Sequence, residues 1–185
     1  MKQKDKGMIH KLLALILLLW AVICWGLLLS VMKAGYTGRY LEDCLTQANL
    51  AALIVDPYYY GSTGELVFEN TDKVKDIFEE ALNEGLGSEA SRERLGIVGE
   101  VELTDFRIYE VTSQGTREFI FDRNDNCSTV LHTVGTDVKA PDGTRILNSA
   151  IYARIAVPAE FLFGVEVTAI KEHCVDIVSE EMENE

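Results

Sequence analysis

Three hydrophobic patterns follow one another along this 185-residue chain: an unbroken apolar run, two stretches repeating every three and four residues, and a half in which apolar and polar positions alternate. The first is the plainest. From Leu12 to Met32 no residue is charged, and only Gly26 and Ser30 weaken the apolar character. As a helix these residues span roughly 30 Å, the thickness of a bilayer's hydrocarbon core. A soluble helix of that length carries a polar stripe at the 3.6-residue period, and none is present. Residues 12–32 are therefore expected to form a transmembrane helix, with the lipid bilayer as their partner.

Beyond a Gly-containing joint at residues 34–38, the residues Leu41, Leu45, Ala48, Ala52 and Val55 recur at helical spacing. They predict a second helix over residues 40–55, continuing the span with a bend near Gly35 and Gly38. It should stop at Asp56-Pro57, because proline disfavours helix in the residue before it. Tyr58, Tyr59 and Tyr60 then lead to a short extended piece at 65–69. A further amphipathic helix follows, with Val74, Ile77, Phe78, Ala81 and Leu82 on one face. Asn70, Thr71 or Asp72 can cap its start, and Gly85 or Gly87 can end it.

From Ile97 the period falls to two and β-branched and aromatic residues take over. Strands are expected at 99–112, 117–122, 129–134, 150–157 and 161–177, the last with a break. Ile151, Ala153, Ile155 and Val157 form one inward row, and Phe161, Phe163, Val165 and Val167 a second. The phase slips between Leu103 and Phe106, which predicts a bulge near Thr104-Asp105. Residues 123–126 and Pro141-Asp142-Gly143 have turn chemistry suited to joining neighbouring antiparallel strands. The expected fold is α+β: an N-terminal transmembrane helix with a helical extension, a short amphipathic helix and an antiparallel sheet of four to five strands. The chain divides into a basic tail at 1–11, the span at 12–32, the extension at 33–57, an α+β domain at 58–179 and an acidic tail at 180–185.

Charge orients this arrangement. Residues 1–33 hold five lysines and one aspartate, a net +4, which leaves −17 for the rest of a chain whose total is −13. Four lysines precede the span and only Lys33 and Arg39 follow it closely, so the N-terminus is expected in the cytoplasm and the domain outside. The apolar run exceeds the core of a cleaved signal peptide, and Met32-Lys33-Ala34 is a poor cleavage site, which favours an uncleaved signal anchor in the cell membrane. Neither Cys24 nor Cys44 follows a lipoprotein cleavage box. A domain this acidic repels phosphate backbones, so nucleic acid is not an expected partner.

Chemistry-bearing motifs are sparse. No Gly-rich phosphate loop, Gly-x-Ser-x-Gly elbow or His-Glu-x-x-His pair occurs, and no catalytic residue, cofactor or metal site is assigned. Cys127, His132, His173 and Cys174 lack the paired spacing of structural zinc. Asp122, Asn124 and Asn126 begin like a calcium loop, but Cys127 replaces the required glycine and Thr133 the closing glutamate, so a hairpin turn explains them better. Asn126-Cys127-Ser128 fits the glycosylation sequon, a pattern common by chance. Cys127 and Cys174, both in the sheet half, are the first candidate pair for a disulfide, with free buried thiols the competing account. Gly26 and Ser30 make a small-xxx-small pair that permits close helix packing, with simple lipid exposure as the bland alternative. Tyr58 to Tyr60 offer a ligand-facing surface for an anchored binding or sensory domain, or merely cover a core edge.

The segments Tyr40 to Ala52, Ile151-Tyr152-Ala153-Arg154-Ile155 and Cys174-Val175-Asp176-Ile177, in this element order, resemble pilin-like and pseudopilin-like proteins. They are most similar to the TadE-like minor components of tight-adherence (Tad) pili in Gram-positive bacteria. That resemblance implies a non-enzymatic accessory component of a surface pilus or secretion apparatus, with other membrane or pilus-assembly proteins as partners. The chain departs from polymerising pilins at the N-terminus: Gly7 is followed by Met8, and Leu12 stands where those proteins carry an early glutamate.

Overall fold

The computed structural model describes residues 3–122, 125–160 and 164–177. Helix α1 (Gln3–Ala52) is a single element of 50 residues, about 75 Å long at 1.5 Å per residue. The expected joint at Gly35 and Gly38 is itself helical, so span and extension are one rod. Its large apolar side chains from Leu12 to Met32 are all exposed, and among the described residues α1 is the one helix long and apolar enough to cross a membrane. The rod ends three residues earlier than expected, because Val55 is drawn into a bridge with Phe68 instead of extending the helix.

The last four turns of α1 are the spine of an α+β body. Leu41, Leu45, Ala48 and Ala52 are buried, at the helical spacing visible in the sequence. They pack against α3 (Thr71–Leu86), whose Val74, Phe78, Leu82 and Leu86 point inward. Asn70 caps α3 by accepting from the backbone N–H groups of Asp72 and Lys73, and Gly87 closes it with φ +71°. Two short helices were not expected from the sequence. In α2 (Pro57–Thr63) Asp56 is the N-cap and Pro57 the first residue, so the three tyrosines are helical; α4 is Glu89–Leu95. Each has only seven residues, too few to display a hydrophobic period.

Five strands follow: β1 (Glu102–Thr112), β2 (Gly115–Phe121), β3 (Cys127–Thr133), β4 (Ala150–Glu160) and β5 (Glu166–Asp176). They form one antiparallel sheet in the order β3-β2-β1-β4-β5. The bulge lies where the phase slip put it: Leu103 pairs with Ile155 and Asp105 with Arg154, leaving Thr104 extra. The Thr104 hydroxyl donates to the Arg154 carbonyl at 3.0 Å. One face, carrying Phe106, Ile108, Phe121, Ile151, Ala153, Ile155 and Val157, packs on α1 and α3. Phe78, Phe106 and Phe121 stack in series there, with ring centroids 4.9 and 5.7 Å apart.

Three expectations need correction. The second inward row fails: Val165 and Val167 are 56% and 46% exposed, because β5 is an edge strand whose beginning no other described residue covers. Phe161 and Phe163 lie outside the described residues, as does the acidic tail. Pro141-Asp142-Gly143 does turn the chain, with Gly143 N–H donating to the Ala140 carbonyl, but the turn does not join sheet neighbours. It sits inside the connection from β3 to β4, which must cross two strands. Val138, Ala140 and Ile146 of that crossover cover Tyr109, Ala150 and Tyr152 on the sheet's second face. Tyr152, expected to point outward, is thereby fully buried.

Candidate functional site

The exposed half of α1 bears the Gly26 and Ser30 pair. Ser30 Oγ donates to the Gly26 carbonyl one turn back at 3.0 Å, so its hydroxyl is satisfied within the helix and can enter hydrocarbon at little cost. Both residues are half-buried while the large side chains around them are exposed. The result is a shallow, self-satisfied notch in an otherwise bulky apolar surface.

One turn further on, α1 meets the body and a cleft of about 510 Å³ opens between them. Ser30, Lys33 and Thr37 of α1 form one side, and Glu93, Leu95 and Glu160 contribute to the other. Thr37 Oγ donates to the Leu95 carbonyl at 2.7 Å, tying two segments 58 residues apart. Gly96 ends α4 with φ +78°, and a Cβ built there would lie 2.8 Å from Lys33 Nζ and 3.1 Å from the Glu160 carbonyl oxygen. Only glycine allows the lysine this approach. Residues 96–98 then run beside the end of β4, through the Glu160 N–H to Gly96 carbonyl bond and the Val98 N–H to Pro158 carbonyl bond.

A polar network occupies the sheet face away from the helices. Glu118 Oε1 accepts from Arg107 Nη1 at 3.0 Å and from the Tyr109 hydroxyl at 3.1 Å, while Oε2 lies 2.9 Å from His132 Nε2. Burial pushes the Glu118 carboxyl up, but the hydrogen bonds from His132, Arg107 and Tyr109 outweigh it and hold the group below the usual carboxylate range. Arg107 also forks onto Asp105, and that pairing raises its affinity for the proton further. Nearby, the Tyr152 hydroxyl donates to Glu172 at 2.7 Å. Through these bonds the network braces adjacent strands, Glu118 of β2 to β1 and β3, and Tyr152 of β4 to β5.

Glu110 is the counterpart on the helix side. Its Oε1 accepts from the Phe68 N–H at 3.0 Å. Arg117 Nη2 lies 3.0 Å from Oε2, near enough for ion pairing yet poorly aligned, so Oε2 has no hydrogen bond. Burial dominates and the carboxyl is raised. At the bulge end of the sheet, Lys75 of α3 is almost buried and pairs with Glu79 and Asp125.

Of the residues singled out from sequence, Gly26 and Ser30 come together and the cysteines do not. Cys127 is on β3 and Cys174 on β5, the two opposite edges of the sheet, about 19 Å apart across four strand spacings. A disulfide needs Cα atoms within about 7 Å, and both thiols are free. His132 and His173 are separated in the same way, and no three His, Cys, Asp or Glu side chains converge as metal ligands among the described residues. Tyr58 is 88% exposed on α2, and the Tyr59 hydroxyl donates to Glu65 at 3.2 Å. Sequence reasoning passed over Glu110 and Glu118. The available signal was weak, because β1 also carries Glu102, Asp105 and Arg107 and β2 carries Arg117, so neither glutamate stands out as the lone charge of its strand. Compared with family models, with curated proteins and with solved structures, the chain matches none.

Proposed function

We propose that this protein is a membrane-anchored, non-enzymatic assembly component whose acidic α+β domain is displayed outside the cytoplasmic membrane, working as a pseudopilin-like accessory part of a Tad-type pilus or secretion apparatus. One observation carries the reading: α1 is a continuous rod, apolar and bare from Leu12 to Met32 and locked into the domain core from Leu41 to Ala52. A partner helix that packs on the bare half therefore sets the position of the whole domain. The lysine-rich flank orients the rod with its start in the cytoplasm. The Gly26 and Ser30 notch gives a partner helix room to approach.

The test is site-directed crosslinking in native membranes. Single cysteines at Gly26 and Ser30, in a chain whose own four cysteines are replaced by serine, are expected to yield a discrete protein adduct. A cysteine at Leu28, on the opposite side of the helix, should not. Equal adduct formation from all three positions, or none from any, would remove the assembly reading. A protease that fails to trim the domain on wall-stripped cells would remove the orientation. An anchored ligand-binding domain is the second reading, favoured by the cleft beside Lys33.

A further inference from the structure

The cleft between α1 and the body has features that the assembly reading does not use. Its lining begins at Ser30, inside the apolar span, and ends at Leu41, inside the domain core. It therefore bridges the level where hydrocarbon gives way to headgroups. Ala34, Leu41, Val98, Ala159 and Ala169 supply apolar wall, while charge is confined to Lys33, Glu93 and Glu160. Among the described residues no ion pair involves Lys33, although its ammonium is drawn in beside Gly96. A water-soluble ligand has no use for an apolar slot that opens into a bilayer. A second helix would have to bring opposite charges to three points of the rim at once. An amphiphile whose head carries both signs fits wall and rim together.

We propose that this cleft is a binding site for an aminophospholipid of the phosphatidylethanolamine class, taken from the leaflet that faces the domain. The phosphate sits at Lys33, the primary ammonium at the carboxylates of Glu93 and Glu160, and the glycerol and upper acyl chain lie along Ala34 and the notch at Ser30. Both charges of the head are matched, whereas a phosphatidylglycerol head leaves the two carboxylates facing an anion, and a choline head cannot donate hydrogen bonds to them. The site depends on α1 being in the membrane, and bound lipid would wedge the rod against residues 95–98 at the point where it leaves the body.

Full-length protein in phosphatidylcholine nanodiscs doped with a diazirine-bearing phosphatidylethanolamine tests this, with the adducts mapped by peptide mass spectrometry. Adducts are expected at residues 34–41 and 95–98. Lys33→Ala should reduce capture about fivefold, the usual effect of one lysine beside a lipid charge. Glu93→Gln with Glu160→Gln should abolish the preference over the same probe on a choline head. Ala34→Phe should block capture while leaving Lys33 in place, and unchanged melting would show that each variant is folded. Adducts confined to residues 12–29, equal capture of ethanolamine, choline and glycerol heads, or indifference to Lys33→Ala would each overturn the proposal. Alkaline extraction of native membranes separates the two failures: release of the chain defeats the anchor itself, whereas retention with an unlabelled cleft defeats this site alone.

Discussion

Glu118 and Glu110 lie on neighbouring strands, on opposite faces of the sheet, and their environments give their charges opposite effects on stability. Removing Glu118 as Glu118→Ala deletes three hydrogen bonds to an ionised acceptor whose side chain is 10% exposed. Arg107 keeps its fork on Asp105, so no cation is stranded. The Tyr109 hydroxyl is stranded, in a residue with no solvent exposure. Bonds to charged groups contribute about 1.5–3 kcal/mol each and are not additive, and a buried donor left unpaired costs about 1–3 kcal/mol. The expected loss at pH 7 is therefore roughly 3–4 kcal/mol, or about 10 °C for a chain of this size. Glu118→Gln retains shape and one acceptor oxygen and should lose about half as much. Glu110→Gln keeps the acceptor for the Phe68 N–H and removes a charge that burial disfavours, so it should fall within about 0.5 kcal/mol of wild type or slightly above it.

Acid separates the two further. The Glu118 carboxyl is held below its unfolded value, so its stabilisation is complete above about pH 4.5 and is lost as pH falls through the depressed folded value. The Glu110 carboxyl is raised, so its penalty is present at neutral pH and is relieved as pH falls through the raised folded value toward 4.5. Glu118→Gln and Glu110→Gln should thus differ most at pH 7, and the gap should narrow as pH falls first through the raised Glu110 value and then through the depressed Glu118 value. Thermal unfolding of the full chain in non-ionic detergent, followed by near-ultraviolet circular dichroism, measures this through the buried Tyr109 and Tyr152. A loss under 1 kcal/mol for Glu118→Ala at pH 7, or a gap between the two glutamine variants that does not change from pH 7 to 4, would refute the reasoning.

Gly115 opens β2 at φ +131°, and a Cβ there would run into the His132 carbonyl oxygen. Gly115→Ala should therefore cost about 3 kcal/mol or more through strain and displacement of β3, with amide exchange accelerating at 127–133 and protection retained across β4 and β5; wild-type protection in β3 would contradict this. The cysteines should label in an order set by access. Among the three cysteines beyond the apolar run, a maleimide at neutral pH should modify exposed Cys127 first, while buried Cys44, and half-buried Cys174, whose thiol is pushed up to about 12 by burial and then by Asp142 and Asp176, resist until the chain unfolds. A monomer carrying a Cys127 to Cys174 bond on a non-reducing peptide map would show that the sheet order is wrong.

The long elements were legible because their signals repeat. Leu41, Leu45, Ala48 and Ala52 mark three turns of one helix face, and Val74, Phe78 and Leu82 another, so a single misreading could not erase either. The bulge was legible for a related reason: Leu103 and Phe106 both belong on the helix face, and an even strand cannot place them there. What escaped depends on partners remote in sequence. Val167 alternates as faithfully as Val157, yet one lies on an edge and the other beneath a helix. Period shows that a residue can be buried, and only strand order shows whether anything covers it. Tyr152 is the converse case, buried by a crossover whose path the local sequence does not encode. The cleft joins Thr37 to Leu95 and Lys33 to Gly96, contacts between segments about sixty residues apart, and no spacing rule reaches that far.

The consequence of a one-piece α1 lies in how it is fastened. Thr37 Oγ donates to the Leu95 carbonyl at 2.7 Å, the Tyr40 hydroxyl to the Gly85 carbonyl at 2.6 Å, and Asn49 Nδ2 to the His173 carbonyl at 3.1 Å. These bonds fix the helix to the last residue of α4, to the end of α3 and to β5, three parts of the body met from different sides of the rod. A rotation of α1 about its own axis would break all three and lift Leu41, Leu45 and Ala48 out of the core, a combined cost well beyond the roughly 1 kcal/mol of a single hydrogen bond. Rotation is therefore closed as a way for span and body to move apart, and bending is left. Toward the apolar run the fastening ends at Thr37: Tyr36 is exposed, and a Cβ on Gly35 would meet nothing within 4 Å. Any pivot between the apolar run and the body belongs there, directly beside the cleft lined by Lys33, Ala34 and Thr37, so a group filling that cleft would oppose the bend.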